Sequence, residues 1–128
     1  MTIQLSGVIV NDQDCAICFS TQVLGFSKKL DLPAGESRWL TVVSPEEPEG
    51  TQLLLEPDAH PASATYQRSL FEDGVPLTSL TVDDIEKEYE RLKALGVVFT
   101  AKPADAGGTL VAVFDDTCGN LIQTYRKS

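Results

Sequence analysis

The chain has 128 residues, 42% of them hydrophobic, and a formal net charge of −9 from 19 acidic against 10 basic side chains. That length suits one compact domain with a real core, and that apolar share excludes an intrinsically disordered chain. The acidic balance argues against nucleic acid and anionic membrane surfaces as partners, and no run of about 18 apolar residues is present to span a bilayer.

The first residues, MTIQLSGVIV, lack the basic start and cleavage pattern of a secretory signal, so a cytoplasmic location is expected. Three cysteines without such a signal do not suggest a disulfide framework. Cys15 and Cys18 form a C-x-x-C at the start of an expected helix, where a thiol can be activated for redox chemistry. The plainer reading packs both as small apolar side chains. Zinc would need further ligands, and the chain offers only Cys118 and His60.

In chain order, Ile3 to Val10 reads as a strand, rich in β-branched and aliphatic residues. Asn11-Asp12 caps a helix with Ala16, Phe19 and Val23 at helical spacing, stopped by Gly25. Phe26 to Leu32 is a second strand, residues 33–36 a turn, Arg38 to Val43 a third strand, and Gln52 to Glu56 a fourth, ended by Pro57. Pro61 to Phe71 suits a short helix with Pro61 in its first turn. Val75 to Val82 is the next strand, and Asp83-Asp84 caps a helix carrying Ile85, Tyr89, Leu92 and Leu95 on one stripe, stopped by Gly96. Val97 to Thr100 is a strand, KPADAGG a loop, and Thr109 to Phe114 a strand. The turn Cys118-Gly119-Asn120 feeds a last strand, Leu121 to Tyr125.

The order is therefore βαβββ, a linker, then βαβββ, and the local words repeat. VND before the first helix answers VDD before the second, and VLGF after the first answers ALGV after the second. Asp12 to Gly25 spans 13 positions and Asp84 to Gly96 spans 12. One domain over residues 1–128 is expected, with module one at about 3–57, a linker at 58–74 and module two at about 75–126. The fold class is α+β, two βαβββ modules in one chain, with paired mixed sheets around a cavity.

The duplication, together with FSTQVLGF, YERLKALGV and FDDTCGNLIQTY, resembles the vicinal oxygen chelate superfamily: glyoxalase I, bleomycin-resistance proteins, fosfomycin-resistance enzymes and extradiol dioxygenases. The resemblance covers nearly the whole chain. Metal enzymes of that family carry four ligands, His, Glu or Gln, on the first and last strands of each half. Carried over by local motif, those positions fall on Leu5, Glu56, Leu77 and Gln123. Two of the four are leucine, which coordinates nothing. No metal or other cofactor is expected; the alternative is a divalent metal ion, for which Glu56, Gln123 and His60 are weak candidates. Glu56-x-x-x-His60 imitates a helical ligand pair, but Pro57 opposes a helix there.

If each half turns the same strand faces inward, Leu5, Gly7 and Ile9; Gln52, Leu54 and Glu56; Leu77, Ser79 and Thr81; and Leu121, Gln123 and Tyr125 line the cavity. The helices then receive Val8 and Val10, Leu53 and Leu55, Leu80 and Val82, and Ile122. The expected ligand-binding residues are Glu56, Gln123, Tyr125, Leu5, Leu77 and Trp39: a mostly apolar lining with few polar anchors. Catalytic residues are not identifiable. The resemblance thus implies a homodimeric small-molecule-binding protein with a degenerate metal site, sequestering its ligand as bleomycin-resistance proteins do. The alternative it implies is a metal-dependent glyoxalase-like lyase or dioxygenase. A redox or interaction module built on Cys15 and Cys18 is a third reading.

Overall fold

The computed structural model describes residues 1–126. They form two compact units, Met1–Thr65 and a second beginning at Tyr66. In the first, β1 (Leu5–Val10) leads into α1 (Gln13–Cys18), which continues as a π-helical turn over Phe19–Val23. Next come β2 (Ser27–Ala34), β3 (Ser37–Val43), β4 (Gln52–Pro57) and α2 (Pro61–Glu72), within which the boundary between units falls. The second unit holds β5 (Thr78–Val82), α3 (Ile85–Ala94), β6 (Phe99–Asp105), β7 (Leu110–Asp115) and β8 (Leu121–Arg126).

The two sheets share one topology. The strand order is β1-β4-β3-β2 in the first and β5-β8-β7-β6 in the second, with the first and last strands of each module parallel and the other neighbours antiparallel. The α+β architecture of two βαβββ modules is thus present.

The helix starts also repeat. The Asp12 carboxylate accepts from the Cys15 backbone N–H at 3.1 Å, and the Asp84 carboxylate accepts from that of Lys87 at 3.1 Å. The extra residue between Asp12 and Gly25 is absorbed by the π-helical turn, where the Leu24 N–H reaches back five residues to the Phe19 carbonyl at 3.0 Å.

In the first unit Val8, Val10, Leu40, Val42 and Leu55 are buried on the sheet face beneath α1, whose Ala16 is also buried. In the second unit Ile85 and Leu92 of α3 are buried, as are Ala112, Phe114 and Ile122 of the sheet. The Phe99 ring sits edge-on to Tyr89 and Phe114, at centroid distances of 4.7 and 5.7 Å.

Several expected boundaries move, for identifiable reasons. Pro33 was expected in a turn and Pro103 in a loop, yet β2 and β6 run through them; both are edge strands, where a missing N–H costs no ladder bond. The fifth strand starts at Thr78 rather than Val75. The Val75 N–H instead closes the end of α2 on the Leu70 carbonyl, with Gly74 at φ 73°, and Pro76 follows. Leu95 leaves the apolar stripe because it is the cap of α3, and it is 55% exposed. Among the described residues no helix is long and apolar enough to cross a membrane.

Candidate functional site

The first sheet turns one face to α1 and the other away from it. Register places Leu5 opposite Gln52, Gly7 opposite Leu54 and Ile9 opposite Glu56 on β1 and β4, and Thr41 of β3 opposite Leu54. Pleating puts these residues, with Trp39 and its β2 partner Leu32, on the face away from the helix. Leu54 and Thr41 are buried there, whereas Leu5, Trp39 and Leu32 are 41%, 41% and 51% exposed. The Thr41 hydroxyl donates to Gln52 Oε1 at 2.8 Å and accepts from the Leu30 N–H at 3.1 Å, which ties the β2 bulge to β4.

Glu56 is exposed and its carboxylate has no hydrogen-bond or ion-pair partner among the described residues. It folds back over β1: a Cβ on Gly7 would lie 2.6 Å from Glu56 Oε2 and 2.9 Å from Cδ. Gly7 therefore leaves the space that this carboxyl occupies.

The pairing of β3 with β4 ends at Thr41 and Leu54, and beyond it the carboxamide of Gln13 bridges the two strands. Gln13 Nε2 donates to the Arg38 and Leu55 carbonyls, each at 2.8 Å, and its Oε1 accepts from the Arg38 N–H at 3.1 Å. Glu56 and Trp39 follow the last paired residues on either side of this opening. The nearby cation is committed elsewhere. Arg38 pairs with Asp31 through bonds of 3.0 and 2.9 Å and also with Asp14, which raises the guanidinium pKa, while Arg38 holds the Asp31 carboxyl below its ordinary value.

In the second sheet Gln123 pairs with Ser79 on β5 and Val113 on β7, and Tyr125 pairs with Thr81 and Val111. These lie on the face away from α3, and Gln123 and Tyr125 are half-buried. The Gln123 amide has no hydrogen-bond partner among the described residues. Leu77 is half-buried and lies one residue before β5, its N–H donating to the Leu121 carbonyl at 2.9 Å. Leu121, expected to line the cavity, is 3% exposed, and Ile122 on the opposite side is 4% exposed.

A buried polar cluster lies just upstream, and the sequence reading missed it. Asp116 Oδ1 accepts from the N–H groups of Cys118 and Asn120 at 2.8 and 3.0 Å, and its Oδ2 accepts from Asn120 Nδ2 at 2.8 Å. Gln67, the buried residue of α2, donates to Asn120 Oδ1 at 3.0 Å and to the Cys118 carbonyl at 3.1 Å. Burial raises the Asp116 pKa in spite of these bonds. The positive φ angles of this turn belong to Thr117 and Gly119, at 62° and 95°. Asn120 is thus there for its side chain rather than for a left-handed backbone, and D-x-x-G-N is the signal that would have found it.

His60 immediately precedes α2, and its Nδ1 accepts from the Ala62 N–H at 3.0 Å in an exposed capping arrangement. Cys15 is half-buried, Cys18 exposed and Cys118 buried, all as free cysteines. Among the described residues no three His, Cys, Asp or Glu side chains cluster as metal ligands, and Leu5 and Leu77 carry no donor atom. These residues do not fit a divalent ion.

The model of the glyoxalase/bleomycin resistance protein/dioxygenase superfamily matches residues 2–124. The chain is 53% identical to YurT of Bacillus subtilis (strain 168), over 99% of this chain and 100% of that protein. It resembles the solved structure of UcmS2 with a TM-score of 0.83 at 31% identity, covering 98% of this chain and 97% of that one. It also resembles TnmS3, an antibiotic binding protein from Streptomyces sp. CB03234, with a TM-score of 0.78 at 28% identity, covering 100% and 97%. The chain belongs to the glyoxalase/bleomycin resistance protein/dioxygenase superfamily.

Proposed function

We propose that this protein binds a small organic molecule on a strand face turned away from its helices, without a metal ion, as a cytoplasmic homodimer. The observation that carries the reading is the donor set. The positions that the family resemblance gives to metal ligands hold Leu5 and Leu77, leaving Glu56 and Gln123 as the polar groups. Leucine offers dispersion and apolar area, which suits an organic ligand and no cation. Half-buried Gln123 then serves as a neutral arm that can both donate and accept. The likeness to TnmS3, an antibiotic binding protein, supports binding of a small organic molecule. A lyase or dioxygenase would need metal donors that the two leucines do not provide.

A thermal-shift screen of chemically mixed small molecules, antibiotics among them, in metal-free buffer tests the proposal. Hits that bind the parent protein and lose about 5- to 150-fold in affinity on Gln123→Ala are expected, the cost of one lost hydrogen-bond partner. A protein that responds to metal salts and to no organic compound would overturn it.

A further inference from the structure

The buried side of α2 is centred on a glutamine. Helical spacing sets Ser63, Ala64, Leu70 and Phe71 around Gln67, three and four residues to either side. Gln67 is 5% exposed and is the buried residue of the helix, whereas the larger side chains of Tyr66 and Phe71 stay 54% and 38% exposed. α3 is seated differently: Ile85 and Leu92 are each 2% exposed, and the Tyr89 ring packs on Phe99. Apolar burial is lost outright when a helix leaves its seat. A hydrogen bond is exchanged for one to water, so its net hold is small.

The turn that Gln67 binds stands without it. Gln67 Nε2 donates to the Cys118 carbonyl at 3.1 Å and to Asn120 Oδ1 at 3.0 Å, all within the unit that begins at Tyr66. That turn is braced from within by the three hydrogen bonds to Asp116, and β8 beyond it is paired on both sides, with β5 and β7. The ends of α2 are likewise closed locally. The N–H groups of Ser63 and Ala64 donate to the His60 carbonyl at 2.9 and 3.1 Å, and those of Gly74 and Val75 donate to the Phe71 and Leu70 carbonyls at 3.1 and 2.9 Å. Releasing α2 therefore breaks the Gln67 latch and leaves the second sheet paired. The helix has 12 residues, too few to persist alone in water, so a released α2 melts.

We infer that α2 is a strap with two states, docked as a helix through Gln67 or released as flexible chain, and that it passes between them while the second sheet stays folded. Release turns the connection between β4 and β5 from a helix into a mobile segment.

Native-state hydrogen exchange of the full chain, read by mass spectrometry on peptides from α2 and α3, tests this. The α2 amides should exchange about 100-fold faster than those of α3, with little dependence on urea below the unfolding transition. Gln67→Ala should speed α2 exchange about 10- to 100-fold, the worth of two hydrogen bonds. Ile85→Val removes a methylene where α3 is buried. It should speed exchange in α3 and leave α2 unchanged, because the docked and released forms share that core. Circular dichroism and the melting temperature would show that both variants are folded; if Gln67→Ala does not fold, the parent and Ile85→Val decide. Equal protection of α2 and α3, an equally steep urea dependence, or faster α2 exchange in Ile85→Val would overturn the inference, since each means that α2 opens only when the sheet unfolds. Unchanged α2 exchange in a folded Gln67→Ala would overturn the latch. None of these outcomes bears on the ligand proposal.

Discussion

Asp116 is a carboxyl under three hydrogen bonds in the turn before the last strand, and burial still outweighs those bonds in setting its pKa. Replacing it with alanine removes the acceptor of those three hydrogen bonds. Each such bond contributes about 1 kcal/mol net, so a loss on the order of 3 kcal/mol in urea unfolding is expected for Asp116→Ala. The pH dependence has a definite sign. A carboxyl whose folded pKa is raised is favoured by the fold when protonated, so its contribution is fully present below the unfolded pKa and declines as pH rises through the folded one. The stability gap between parent and Asp116→Ala should therefore be widest at acid pH and narrow on raising it. The sequence showed the turn here but not its cause, because Gln67 enters from a helix 51 residues away from Cys118. Glu56 was legible as a polar residue at a strand end. Its position over Gly7 was not, since that depends on the parallel register of β1 with β4. At Gly7 itself, alanine should leave stability unchanged or raise it by up to about 1 kcal/mol, because the three nearest atoms it meets belong to the end of a flexible glutamate side chain.

The elements were largely legible because each module states its own limits twice. Asp12 and Asp84 cap equivalent helices through the same hydrogen bond at the same length, so Asp12→Ala and Asp84→Ala should each cost about 0.5–2 kcal/mol in denaturant unfolding. Markedly unequal costs would show that the two helix starts are not equivalent in energy. The count of 13 against 12 positions between cap and stop glycine was visible in the sequence, and the structure gives its physical form as a π-helical turn over Phe19–Val23. Misplaced strand ends came from reading proline-containing stretches as turn or loop. The exclusion of proline belongs to central strands, and position within a sheet follows from pairings that a local reading does not contain. The opening between β3 and β4 was hidden for the same reason: it depends on where Gln13 lands after α1 packs against the sheet. The C-x-x-C follows the helix, with Cys15 half-buried and Cys18 exposed.

For the whole molecule, the repeat accounts for the shared topology of the two sheets, and departures from family chemistry account for the proposed function. Edge strands favour self-association, so sedimentation equilibrium at micromolar concentration should give a dimer near twice 13.9 kDa. A clean monomer across that range would remove the dimer from the account. The central claim is that an organic ligand is held by the protein's own side chains with no metal between them. Its most direct test is a calorimetric titration of the tightest screening hit into protein stripped with a chelator, repeated after adding back zinc, nickel or manganese. The account predicts the same affinity and stoichiometry in every case, and binding that appears only when a metal is restored would contradict it.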